Sequence, residues 1–281
     1  MWNLKNKLIT LMMSTAMAAS FLTGCGEGGS AQEGSLRGNI SLAGSTSMEK
    51  LCEAMSESFM EANPGVTVTV EYTGSGAGIE SLAKGLVDIG NASRQIKAEE
   101  KSKGVTENVI ARDGIVVVTD KGNPLSNISS ETLSDIYSGK FKRWNEIGGP
   151  DEAIVVIGRE AGSGTREAFE DIIGKKDSCA YALELDSTGA VMAKVASTPG
   201  AIGYVSLDVV NNTVNPLNID GVKPSEEQIQ TGAYKLQRPF VMATRGDIAQ
   251  QNKLIIAWFD YINSPEGKAV IKKVGLIAPQ K

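Results

Sequence analysis

Val66-Thr67-Val68-Thr69-Val70-Glu71-Tyr72-Thr73-Gly74-Ser75-Gly76-Ala77-Gly78 reads as a strand that runs through a small-residue turn into a helix. Val66, Val68, Val70 and Tyr72 alternate with Thr and Glu, the period of a half-buried strand. The glycines break that alternation, and Ile79, Leu82 and Leu86 then recur at helical spacing. The same order stands upstream. Arg37 to Ala43 is strand-like, Ala43-Gly44-Ser45-Thr46-Ser47 is the turn, and Met48, Leu51, Cys52, Met55 and Phe59 share a helical face until Asn63-Pro64-Gly65 stops it. Thr46 with Glu49 predicts a capping box at that helix start. Downstream, Ile115-Val116-Val117-Val118 reads as a buried strand, and the order β-α-β-α-β predicts a mostly parallel sheet covered by helices.

A second series begins after Lys121-Gly122-Asn123-Pro124. A helix is predicted from Glu131 to Tyr137, and the strand Ala153 to Gly158 leads into Arg159-Glu160-Ala161-Gly162-Ser163-Gly164-Thr165. Helices follow from Gly164 to Ile173 and from Gly189 to Ala196, and Gly200 to Val205 and Phe240 to Thr244 read as strands. Asp247 is the expected cap of a helix reaching Ile262, and a last helix runs from Pro265 to Val274. Three Gly/Ser/Thr turns therefore each stand between a strand and a helix. The first N–H groups of a helix are unpaired and lie at the positive end of its dipole, so a turn that exposes them suits an anion. Ser and Thr add hydroxyls, and Arg159 adds charge. Two α/β domains facing each other across a cleft would gather the three turns, with ligand bound by closure about a hinge.

Residues 1–24 read as an export signal. Lys5 and Lys7 precede the apolar run Leu8 to Leu22, which is too short to span a bilayer. Leu22-Thr23-Gly24-Cys25 matches a bacterial lipobox, making Cys25 the expected lipidated first residue, and residues 25–36 read as a flexible tether. Without Lys5 and Lys7 the formal charge goes from −5 to −7, which argues against a nucleic-acid partner. Histidine is absent, which removes Ser-His-Asp and Cys-His catalysis and His-based zinc sites. The sequence leaves open whether Cys52 and Cys179 pair or stay as free thiols.

The three turns, together with Val87-Asp88-Ile89-Gly90-Asn91-Ala92-Ser93-Arg94, Ile136-Tyr137-Ser138-Gly139-Lys140, Trp144-Asn145-Glu146-Ile147-Gly148-Gly149 and Pro199-Gly200-Ala201-Ile202-Gly203-Tyr204, resemble the phosphate-binding (PstS) family of bacterial ABC phosphate importers. The resemblance covers residues 37–281 and implies the type II periplasmic-binding-protein fold: two α/β domains with mixed, mostly parallel sheets around a hinged cleft. Residues 37–117 and 239–281 would form one domain and 118–238 the other. The resemblance also implies a monomeric, extracytoplasmic receptor, anchored to the cell membrane through Cys25, that passes inorganic phosphate to ABC permease subunits and needs no cofactor or metal.

Carried over by position, the oxyanion contacts fall on Thr46, Ser47, Ser75, Arg159, Ser163, Gly164 and Thr165. Ser93 stands where the family has a carboxylate that accepts the proton of phosphate, and Arg94 follows it. Both are candidate contacts, although Arg94 has a second reading as a brace paired with an acid such as Glu71. The family carboxylate that partners the binding Arg falls on Ala161, with Glu160 as its stand-in, and Asp88 reads as structural. Sulfate, molybdate or tungstate is the alternative ligand class. An exported phosphatase is disfavoured, because Ala161 and Thr165 flank Ser163 where a nucleophile elbow needs glycines. No turn matches the phosphate loop of nucleotide hydrolases.

Overall fold

The computed structural model describes residues 35–279; the expected export signal and Cys25 lie outside the described residues. Apart from four two-residue strands, the strands are β1 (Gly38–Gly44), β2 (Val66–Glu71), β3 (Ile89–Ala92), β4 (Val109–Thr119), β5 (Val155–Arg159), β6 (Leu183–Leu185), β7 (Ala201–Ser206) and β8 (Gln237–Arg245). The longer helices are α1 (Glu49–Ala62), α2 (Ser75–Ala83), α3 (Ser130–Tyr137), α4 (Gly164–Ile172), α5 (Thr188–Ala196), α6 (Lys253–Asn263) and α7 (Pro265–Lys273). The strands join in the order β2-β1-β3-β8-β4-β7-β5-β6. Pairing is parallel within β2-β1-β3 and within β7-β5-β6, and antiparallel where β8 meets β3, where β8 meets β4, and where β4 meets β7.

The sheets expected of two domains are thus joined into one, and the reason lies in β4 and β8. At about 3.3 Å per residue, the 11 residues of β4 span roughly 36 Å, long enough to serve two cores. Its Ile110 and Ala111 belong to a core closed by α1, α6 and α7, while its Ile115 and Val117 belong to a core built around Trp144, Phe169 and Tyr204. Val116 and Val118 face the other way, onto α5. In the first half, α2 covers the opposite face of the sheet through Ile79 and Leu82. Each half is therefore a sheet with helices on both faces, the arrangement that parallel strands require.

Helix ends follow their caps. Ser129, Ser163, Ser187 and Ser264 each accept from a backbone N–H of the first turn. Two expected caps are not used. Asp247 precedes only a short 3₁₀ turn, because Asn252 Oδ1 accepts from both Leu254 N–H and Ile255 N–H and starts α6 there. The Thr46–Glu49 box does not form; Thr46–Met48 is a 3₁₀ turn, and the Thr46 hydroxyl oxygen instead accepts from Thr188 N–H at 3.2 Å. Cys52 and Cys179 are free thiols.

Where β4 and β8 pass between the cores, Asp113 lies opposite Arg238 and both side chains are buried. Arg238 donates from Nε and Nη2 to Asp113 Oδ2 at 3.0 and 2.8 Å. Ser206 Oγ lies 2.8 Å from Asp113 Oδ1 and also contacts Asp208 Oδ1. One hydroxyl proton cannot serve two carboxylates, so the second contact needs a proton on Asp208. Burial, and then the charge of Asp113, push Asp208 up to about 7, which agrees. Between its ordinary 3.8 and about 7, folded Asp208 keeps a proton that the unfolded chain has lost. Stability should therefore fall as pH rises through that window, by on the order of 1 kcal/mol per pH unit. Urea unfolding at several pH values should show Asp208→Asn removing much of that fall; a variant with the wild-type slope would contradict the assignment.

Candidate functional site

The first strand-to-helix turn is held by its neighbours in the sheet. Gly44 (φ 146°) approaches Asn91 so closely that a Cβ there would lie 2.0 Å from Asn91 O, and Ser45 N–H donates to that same carbonyl at 2.9 Å. The turn therefore presents Thr46 and Ser47 at the end of β1 with N–H groups that have no acceptor in their own helix. The start of α2 lies beside it: Gly74 N–H donates to Gly44 O at 2.9 Å, and a Cβ on Gly78 would meet Ala43 O and Gly44 Cα at 2.4 Å.

The third turn comes from the other half and meets the first two. Gly76 N–H donates to Gly162 O at 3.0 Å, and a Cβ on Gly164 would fall 2.4 Å from Ser75 Oγ and 2.9 Å from Ser93 Oγ. Ser45 Oγ donates to Ser93 Oγ at 2.8 Å, Ser47 Oγ lies 2.9 Å from Ser45 Oγ, and Ser93 N–H donates to Ser75 Oγ at 3.2 Å. Thr46, Ser47, Ser75, Ser93, Ser163, Gly164 and Thr165 are all buried in this one place. The Ser163 cap serves Arg166 and Glu167, so Gly164 and Thr165, ahead of it, offer N–H groups with no acceptor in α4. The Thr165 hydroxyl is buried and has no hydrogen-bond partner among the described residues.

Arg159 enters from the end of β5 with its backbone pinned. Its N–H donates to the Tyr204 hydroxyl at 3.2 Å and its carbonyl accepts from Arg166 Nη1 at 2.8 Å. Tyr204 stacks on Phe169 with ring centroids 4.1 Å apart, tying that end of the strand to the aromatic core. The guanidinium donates from Nε to Glu160 Oε2 and Leu185 O, from Nη2 to Glu160 Oε1 and Asp186 O, and from Nη1 to Thr188 Oγ1 at 3.0 Å. Glu160, the expected stand-in for a carboxylate at Ala161, thus pairs with Arg159 through both of its oxygens. Of the five N–H donors of an arginine, one on Nη1 is left over.

Thr188, which the sequence did not single out, is a further candidate. It opens α5, accepts from Arg159, and lies 3.2 Å from Thr46 Oγ1 of the first turn. Its signal was present in Asp186-Ser187-Thr188-Gly189, a fourth small turn before a helix. Arg94 takes no part in the gathering. Its Nη1 and Nη2 donate to Glu100 at 2.8 and 2.7 Å, and its Nε lies 2.8 Å from Glu167 Oε2, so the brace reading holds with different acids from Glu71. Burial works against the Arg94 charge, but Glu100 and Glu167 outweigh it and move its pKa up. Asp88 accepts from Ser41 N–H and Ser41 Oγ on β1, at 2.8 and 2.7 Å, a structural role on a strand.

The arrangement is a set of helix starts, hydroxyls and one arginine. It can bind a small oxyanion by donated hydrogen bonds, and it presents no histidine or metal-ligand cluster among the described residues.

A family model described as a PBP superfamily domain matches residues 29–266. The chain is 32% identical to the phosphate-binding protein PstS of Bacillus subtilis, over 97% of this chain and 94% of that protein. It is similar to the crystal structure of a Clostridium perfringens protein with bound phosphate, with TM-score 0.83 and 36% identity, covering 86% of this chain and 100% of the other. It is also similar to an ABC-type phosphate transport receptor from Vibrio cholerae, with TM-score 0.71 and 30% identity, covering 85% of this chain and 100% of the other.

The close seating of α2 on the first turn can be tested directly. Gly78→Ala should cost about 1–3 kcal/mol in urea unfolding, because its methyl meets backbone that cannot swing away. Wild-type stability in that variant would place α2 farther from the turn than described.

Proposed function

The chain belongs to the PstS-type phosphate-binding proteins of the PBP superfamily, and on that basis we propose that it captures inorganic phosphate between its two halves and delivers it to an ABC permease. It is a substrate-binding protein of an ABC transporter, with no enzymatic role. Delivery to a permease, a lipid anchor on Cys25 and a monomeric state belong to the proposal, as does the division into bodies 37–117 with 239–281 and 118–238, hinged at β4 and β8.

The Thr165 hydroxyl carries this reading. A buried hydroxyl without a partner costs free energy, and it sits at a helix start beside Gly164, Ser75 and Ser93, where an oxyanion would satisfy it. The spare Nη1 donor of Arg159 adds a charge-assisted bond, and the N–H groups of Thr46, Ser47, Gly164 and Thr165 supply the rest. The Ser163 hydroxyl accepts from Arg166 N–H and keeps its proton for the anion. Thr188 orients Arg159 and ties it to the first turn.

A second reading rests on Ser93. Its oxygen accepts from Ser45, and no carboxylate stands at that position to accept the phosphate proton. Selectivity among tetrahedral oxyanions would then depend on hydroxyl acceptors, which reject a fully ionised anion less firmly than a carboxylate does.

Calorimetry on the mature chain, stripped of carried-over ligand, should give one phosphate per chain. Thr165→Val should weaken binding about tenfold and Arg159→Met more, since each removes a bond to a charged ligand. Phosphate binding that persists in excess sulfate supports the first reading. Equal affinities for the two anions would establish the second, and no heat with either would end both.

A further inference from the structure

Glu167 lies on the first turn of α4, three residues after Gly164, with its carboxylate turned toward the other half of the molecule. Among the described residues its charged partners are Arg94 Nε at 2.8 Å and Lys97 Nζ at 3.0 Å, both on the segment that follows β3. At the strand crossing the halves are also joined by the Asp113–Arg238 pair; where the facing turns meet, the links include Gly76 N–H to Gly162 O, Thr46 to Thr188, and Lys50 Nζ to Asp208 O.

Arg94 is set in place from its own side. Glu100 takes both of its Nη atoms and also accepts from Lys97 N–H at 2.8 Å, so the guanidinium is neutralised and oriented without Glu167. Its Nε is then free to meet a carboxylate arriving from the opposite half. The Arg94 side chain is 6% exposed and that of Glu167 19%, so this meeting is shielded from water far more than a surface ion pair. Because α4 also carries Gly164 and Thr165, the motion that brings its N–H groups onto a ligand brings Glu167 onto Arg94 and Lys97.

We propose that Glu167 is a positioning residue which, gripped by Arg94 and Lys97, holds the cleft closed and sets how long the ligand stays, from outside the ligand-contacting set. The proposal rests on the reading of a cleft that closes over phosphate. It predicts an effect on the dissociation rate, because the ion pair forms as the halves meet and must break before they part.

The test measures phosphate association and dissociation on the full mature chain with radiolabelled phosphate, chased with unlabelled phosphate. Glu167→Gln should raise the dissociation rate about fivefold to tenfold and leave association within about twofold. Glu167→Asp, which keeps the charge, should recover part of the loss. Lys97→Gln should give a smaller increase that shrinks as salt rises, since the Lys97 side chain is 40% exposed. The unfolding midpoint of the phosphate-free protein should not move in any of the three. Wild-type dissociation rates in Glu167→Gln, with wild type binding phosphate normally, would overturn the latch and leave the proposed function standing. A wild-type chain that binds no phosphate would overturn that function and the latch with it.

Discussion

The Asp113–Arg238 pair is the constraint around which the molecule is arranged. It lies where two long antiparallel strands pass from one core to the other, and both side chains are buried. Removing one partner of such a pair typically costs about 3–5 kcal/mol, because the remaining charge is left without compensation. Arg238 Nη1 also lies 3.4 Å from Ser93 O, so the pair that registers the strands touches the segment carrying Ser93 and Arg94. The crossing strands and the Ser93–Arg94 segment are thus linked through one buried polar pair.

Beyond that pair, polar groups sort into those satisfied by protein and those left over. Tyr204, Arg166 and Glu170 brace Arg159 from behind, and Glu160 and Thr188 use most of its donors. Among the groups left over, some, such as Ser56 Oγ and Tyr137 Oη, lie elsewhere in the molecule, while the Thr165 hydroxyl, one guanidinium N–H of Arg159 and first-turn N–H groups of the facing turns lie near one another. A net negative chain can still hold an anion there, because its surface charges are screened over about 10 Å while buried donors are not.

The alternation of Val66, Val68 and Val70 and the helical spacing of Ile79 and Leu82 were enough to place β2 and α2, since each face is set by local period. The Gly/Ser/Thr turns were legible for the same reason: a glycine that admits close backbone approach marks its own position, as at Gly44 and Gly78. The caps were less so. Whether Asp247 or Asn252 starts a helix, or whether the Thr46 hydroxyl caps its own turn, depends on which donor is nearest in space.

By itself, the sequence determined the alternation of strands and helices, the small turns that expose backbone donors, and the exclusion of histidine chemistry. Only the tertiary structure decided which groups meet. Thr188 bonds Thr46 from 142 residues away, Glu160 pairs with Arg159, and Arg94 spends its charge on Glu100 and Glu167. The physical reason is that a backbone conformation is selected by near neighbours in the chain. A hydroxyl or a guanidinium has several partners of similar strength within reach, and the packing of the two halves settles which of them it binds.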